Sequence, residues 1–138
     1  MTASRMTLLQ AGLAYLAVFA TIAVLDAVWL GVLTADLYRS EMGSLMADSV
    51  RVVPAVLFYL LYPLALVYLV LWNQPSGGVD AVLRSAVLGL AAYGAYNLTN
   101  LAIVRDWPAQ LSLIDWTWGG VVSALGGGAG YWVTWGRG

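Results

Sequence analysis

The chain has 138 residues, of which 62% are hydrophobic and 9% charged, with a mean hydropathy of +0.81. Soluble domains run near 45–50% apolar and about 25% charged, so an ordinary soluble domain is excluded, and so is a disordered chain. Six Arg, no Lys and seven acids give a net charge of −1, which excludes a nucleic-acid partner, and the absence of Cys and His excludes disulfides, thiol chemistry, most zinc, haem and copper sites and every Ser–His or Cys–His device, so that no cofactor is expected.

About 20 apolar residues cross a bilayer core, and uncharged runs mark where the chain does so. Met6–Leu25 is the first such run, long enough to cross, and apolar character resumes past Asp26 to Leu33. The first span is expected near residues 7–33. It is too long for the core of a signal peptide and lacks a small-residue cleavage pattern, so it reads as a retained helix. Thr34–Arg51 is the longest loop and carries Asp36, Arg39, Glu41, Asp48 and Arg51. Val52–Val79 is the longest uncharged run, with the second span near 52–72. Pro54 in its first turn is harmless, whereas Pro63 at mid-span is expected to kink the helix or free a carbonyl. Asn73–Gly78 is a turn by composition. The uncharged run Ser85–Val104 places the third span near 82–104, and Arg105-Asp106-Trp107-Pro108 ends it. The last run, Trp116–Gly136, places the fourth near 113–135.

These elements predict an all-α polytopic membrane protein, with residues 1–138 forming a single membrane domain, an antiparallel bundle of four transmembrane helices. The runs are continuous rather than alternating, which argues against a β-barrel. Four spans put both termini on one side. The arginines divide evenly between the two sides, whereas the acids gather opposite the termini, and on that basis both termini are placed in the cytoplasm.

Polar residues inside the spans carry the functional signal, because an acid at a helix centre costs about 2.5–3.5 kcal/mol on insertion scales. Asp26 lies late in the first span and Asn97 and Asn100 late in the third. Phe58, Tyr59 and Tyr62 lie early in the second, and Asp115, Trp116 and Trp118 begin the fourth. All four spans thus bring polar and aromatic groups into the half of the bilayer opposite the termini. Helical spacing puts Tyr93, Asn97 and Asn100 on one face of the third span, and Asp26 and Trp29 on one face of the first. Small-residue rows run along other faces: Ala23/Ala27/Gly31, Ala91/Ala95/Thr99, and Gly119/Ser123/Gly127 with Gly126/Gly130. Such rows let helices approach closely, either within one chain or between copies in a homo-oligomer. Asp26-x-x-Trp29 is echoed by Asp115-x-x-Trp118.

Several segments in this order resemble a bacterial membrane-protein family catalogued as a domain of unknown function, number 2177: Asp26–Gly31, Tyr38-Arg39 with Gly43, Pro54–Tyr59 with Tyr62, Tyr93–Ala102, Trp107-Pro108 and Asp115–Gly119. The resemblance implies a four-helix protein of the bacterial inner membrane and supplies no catalytic residues. The family commonly has Asp where this chain has Asn97, so an ionisable group is an amide here.

The leading reading is a membrane-embedded binding protein for a small amphipathic or lipid-like molecule. Asp26, Asn97, Asn100 and Asp115 are expected to contact its polar head. Trp29, Tyr59, Tyr62, Tyr93 and Trp118 are expected to build the site with them, and Arg39, Arg51 and Arg105 to stand at the rim. Membrane lipids are the expected partners, and no metal is expected. Three other classes stay open: an oligomeric proton-coupled transporter or channel, an assembly subunit of a membrane complex, and a membrane enzyme. No nucleophile–base pair favours the enzyme.

Overall fold

The computed structural model describes residues 4–137. All regular elements among the described residues are helical: α1 (Leu8–Val28), α2 (Ala35–Met42), α3 (Val52–Leu66), α4 (Gly78–Ile103) and α5 (Ala109–Val133). Thr7 starts α1 with a capping box, its hydroxyl accepting from the Gln10 N–H while the Gln10 side chain accepts from the Thr7 N–H. α1 and α3 each end in a π-helical turn, Trp29–Leu33 and Val67–Leu71. The first is closed by Thr34, whose N–H and hydroxyl both donate to the Trp29 carbonyl. The second follows Pro63, which lacks the N–H that would serve Tyr59. Beside that point the Tyr15 hydroxyl of α1 donates to the Leu60 carbonyl at 2.9 Å.

Leu8–Leu33, Val52–Leu71 and Gly78–Ile103 are long and apolar enough to cross a membrane. α5 has 25 residues, about 37 Å at 1.5 Å per residue. It is less apolar because it is the inner helix, and Gly, Ser and Trp fill the faces on which its neighbours lie. Two helices begin earlier than the apolar runs imply. α4 starts at Gly78 rather than near 82, because Asp80 sits in its first turn, accepting from the Ser76 N–H and from Arg84. α5 starts at Ala109, directly after Pro108, rather than near 113. Asp106 between them takes a left-handed backbone, φ 63°, which Asp tolerates.

The bundle is small inside and large outside. Val18, Ile22, Leu66, Leu71 and Val122 are fully buried, whereas Leu8, Val32, Val53, Leu69 and Ile103 are among many exposed apolar side chains. That is the distribution of a protein whose surroundings are hydrocarbon. α5 presents two small-residue rows to two partners. A Cβ on Gly119 would stand 2.1 Å from Tyr93 Cγ of α4, and one on Gly130 would stand 2.8 Å from Val18 Cγ2 of α1. These rows therefore pack within the chain. The row Ala91/Ala95/Thr99 on α4 faces outward, and Ala23/Ala27/Gly31 lines a groove between α1 and α3.

At one end of the bundle Met6 N–H bonds Trp72 carbonyl, Gln74 N–H bonds Ser4 carbonyl, and the Trp135 indole bonds Leu71 carbonyl. Both ends of the described chain therefore lie together there. α2 closes the other end, with Tyr38 turned inward and Asp36 and Arg39 outward as an exposed pair 3.6 Å apart.

Candidate functional site

Beneath α2 lies a cavity of about 390 Å³ lined by all five helices. α1 contributes Asp26, and the turn after it Trp29 and Leu30. α2 contributes Tyr38, α3 Phe58 and Tyr59, α4 Ala92, Tyr93 and Tyr96, and α5 Asp115 and Trp118. The two acids organise it. Asp26, 6% exposed, accepts from the Tyr59 hydroxyl at 2.6 Å on one oxygen and from the Trp118 indole at 2.7 Å on the other. Asp115 accepts from the Tyr38 hydroxyl at 2.6 Å on one oxygen and from the Asn97 amide at 2.7 Å on the other. Asn97, 2% exposed, also donates to the Tyr93 carbonyl. Each carboxylate thus ties together two other helices. Burial, and then the Asp115 carboxylate it bonds, push the Tyr38 phenol well above the ordinary tyrosine range, so it stays a donor.

The two Asp-x-x-Trp motifs meet in space. The Trp29 and Trp118 rings stack, centroids 4.3 Å apart and 3° from parallel, and Trp118 donates to the acid of the other motif. The reciprocal bond is not made. Tyr38 bonds Asp115 instead, and the buried Trp29 indole nitrogen, near the Tyr38 hydroxyl, has no well-aligned hydrogen-bond partner among the described residues. The π-helical turn at Trp29–Leu33 displaces Trp29 and Leu30 relative to a continuous helix, and such turns recur at ligand sites.

Tyr62 lies below the cavity rather than in its wall. Its hydroxyl pairs with Ser123 at 2.6 Å, and its ring stacks on Phe58, centroids 5.3 Å apart, forming a floor with Tyr93. Asn100, one turn beyond Asn97, is outside the lining, as are Arg39, Arg51 and Arg105, all three exposed. The donors to Asp26 are Tyr59 and Trp118, while the amide of Asn97 goes to Asp115. Sequence reasoning did not place Tyr38, Phe58 or Tyr96 in the site. For Tyr38 the one available signal was its inclusion in a segment of the family resemblance.

A second concavity of about 580 Å³ runs between α1 and α3 on the outer face. Phe19, Ala23, Ala27, Val56 and Leu60 line it, and Asp26, Leu30 and Tyr59 belong to both spaces. The chemistry on offer is recognition: two acids held by neutral donors among aromatic rings. No group of three metal-ligating side chains occurs among the described residues.

An all-helical bundle, apolar outside and polar at one inner end, defines a polytopic membrane protein. The chain belongs to the family described as Predicted membrane protein, domain of unknown function 2177, whose model matches residues 11–132. No curated protein and no solved structure matches it.

Proposed function

We propose that the protein binds a small amphipathic or lipid-like molecule in the half of the bundle opposite the termini. The observation that carries this reading is the convergence of Asp26, Asp115 and seven aromatic side chains on one ligand-sized cavity, with Asn97 holding Asp115 from behind. Close packing beneath it favours binding over passage. Tyr62 and Ser123 close the floor, and below them a Cβ on Gly127 would stand 1.8 Å from the Ser85 hydroxyl oxygen. We place the protein in the bacterial inner membrane with both termini cytoplasmic and the α2 end facing away from the cytoplasm, in line with the acids of the 34–51 loop.

The test is extraction. Protein purified in a nonionic maltoside should release an amphiphile that copurifies in stoichiometric amount. Ala92→Trp, which fills the cavity from its wall, should lose that molecule while keeping its helical content and monodispersity, with a thermal midpoint lowered to that of ligand-stripped wild type. An extract identical for the two proteins would overturn the reading.

A further inference from the structure

We propose that the head group the cavity takes is an organic ammonium, and that its apolar tail lies in the groove between α1 and α3. This rests on the amphiphile-binding reading and names its ligand class.

Charge is the first ground. Among the described residues, Asp26 and Asp115 are the only ones of ionising acid or base type in the cavity wall besides tyrosine, and no arginine lines it. All four of their hydrogen-bond donors are neutral: two phenols, an indole and an amide. Neutral donors stabilise a carboxylate without cancelling its charge, and each carboxylate keeps acceptor capacity beyond the two bonds it has. The site is therefore built for a cation and against a phosphate, sulfate or carboxylate head.

The walls are the second ground. Seven of the eleven lining residues are aromatic, and ring faces attract ammonium groups, more so when water is excluded. A metal ion has the opposite needs. It asks for several oxygen ligands at short range, and here both carboxylates already bridge helices through indole, phenol and amide donors.

The tail follows from adjacency. Asp26, Leu30 and Tyr59 line both the cavity and the groove, so a head group held at Asp26 has the groove beside it. The groove beyond them is apolar, with Phe19, Ala23, Ala27 and Leu60 along it. Its small residues, unlike the rows on α5, have no helix packed into them. A Cβ on Gly31 would meet nothing within 4 Å.

The experiment is a charge series in one nonionic detergent at fixed ionic strength, read as displacement of thermal midpoint and converted to affinity. The probes are hexyltrimethylammonium, hexyl sulfate, hexanol, tetramethylammonium and calcium. Hexyltrimethylammonium should bind at least tenfold more tightly than hexanol, and hexyl sulfate should give no shift. Asp115→Asn should lose at least tenfold for both ammonium probes and nothing for hexanol. Asp26→Asn should do the same. Both keep their bonds, because the Tyr38 or Tyr59 hydroxyl can turn from donor to acceptor. Ala27→Trp, which fills the groove, should remove the advantage of the hexyl chain and leave tetramethylammonium unchanged. The comparison of probes on the wild-type protein needs no variant to fold.

Equal binding of sulfate, hexanol and ammonium, abolished by Ala92→Trp, overturns the charge assignment and leaves amphiphile binding standing. A calcium shift matching that of ammonium overturns the organic class. No shift from any probe overturns both.

Discussion

The buried carboxylates are where single substitutions should speak most clearly. A hydrogen bond to a charged group contributes about 1.5–3 kcal/mol. Tyr59→Phe removes one of the two donors on Asp26, so resistance to unfolding in mixed micelles should fall by about that amount, and Trp118→Phe should behave alike. Because both act on one carboxylate, the double variant should lose less than the sum, a coupling that a double-mutant cycle measures. Tyr38 makes a pH prediction. Its folded value lies above the ordinary tyrosine value of about 10. Its contribution is thus fully present below that value and is lost as pH rises toward the folded one. Tyr38→Phe should flatten the alkaline stability slope relative to wild type, and identical slopes would contradict the α2–α5 bond. At this scale Asp26 and Asp115 were legible because an acid in an apolar setting stands out. Tyr38 was not, since it sits among the charges of a loop, nor was Tyr96, which resembles a lipid-facing aromatic, and Phe58 was legible only as a member of the aromatic half. Which donor meets which acid depends on how helices rotate against one another. Spacing within one helix says nothing about that, and so the bond from Asn97 to Asp115 could not be read from it.

Helix packing here rests on surfaces with nothing projecting from them. A Cβ on Gly89 would stand 2.2 Å from the Gly119 carbonyl oxygen, a backbone atom that cannot turn aside. Gly89→Ala should therefore separate α4 from α5 and cost about 3 kcal/mol or more. Gly12→Ala on α1 meets nothing within 4 Å and should be neutral or slightly stabilising by the propensity gain. Thermal midpoints of the two variants in one detergent check the contrast, and similar values would show that the α4–α5 contact is looser than described. The four long helices were readable from uncharged runs, but two of their starts were not. Asp80 and Arg84 precede the third uncharged run although α4 already runs beneath them, and Asp115 precedes the fourth although α5 is already under way. Charge marks the edge of hydrocarbon, whereas the helix end is set by caps and by Pro108. The short α2 was likewise hidden, because eight polar-rich residues carry no span signal.

Across the whole molecule, the paired ends fix a topology: reporters at Gln74 and after the C-terminus should lie in one compartment and a reporter at Ser44 in the other, and any other pattern contradicts the bundle. The central position of α5 has a further consequence, in time. It is made after α1 to α4, and the Trp118 partner of Asp26 follows that acid by 92 residues. At 5–20 residues per second this is a delay on the order of ten seconds. Through that interval Asp26 is already committed to its helix without its α5 partner, whereas Asn97 waits only 18 residues for Asp115. Tyr59, only 33 residues behind Asp26, arrives first and holds the acid meanwhile. The growing chain thus passes through a stage in which three helices expose unfilled glycine and polar faces to each other and to whatever surveys nascent membrane proteins. A chain stopped after Asp106 should disappear in a pulse-chase experiment faster than one carried through α5, and Tyr59→Phe should shorten its lifetime further.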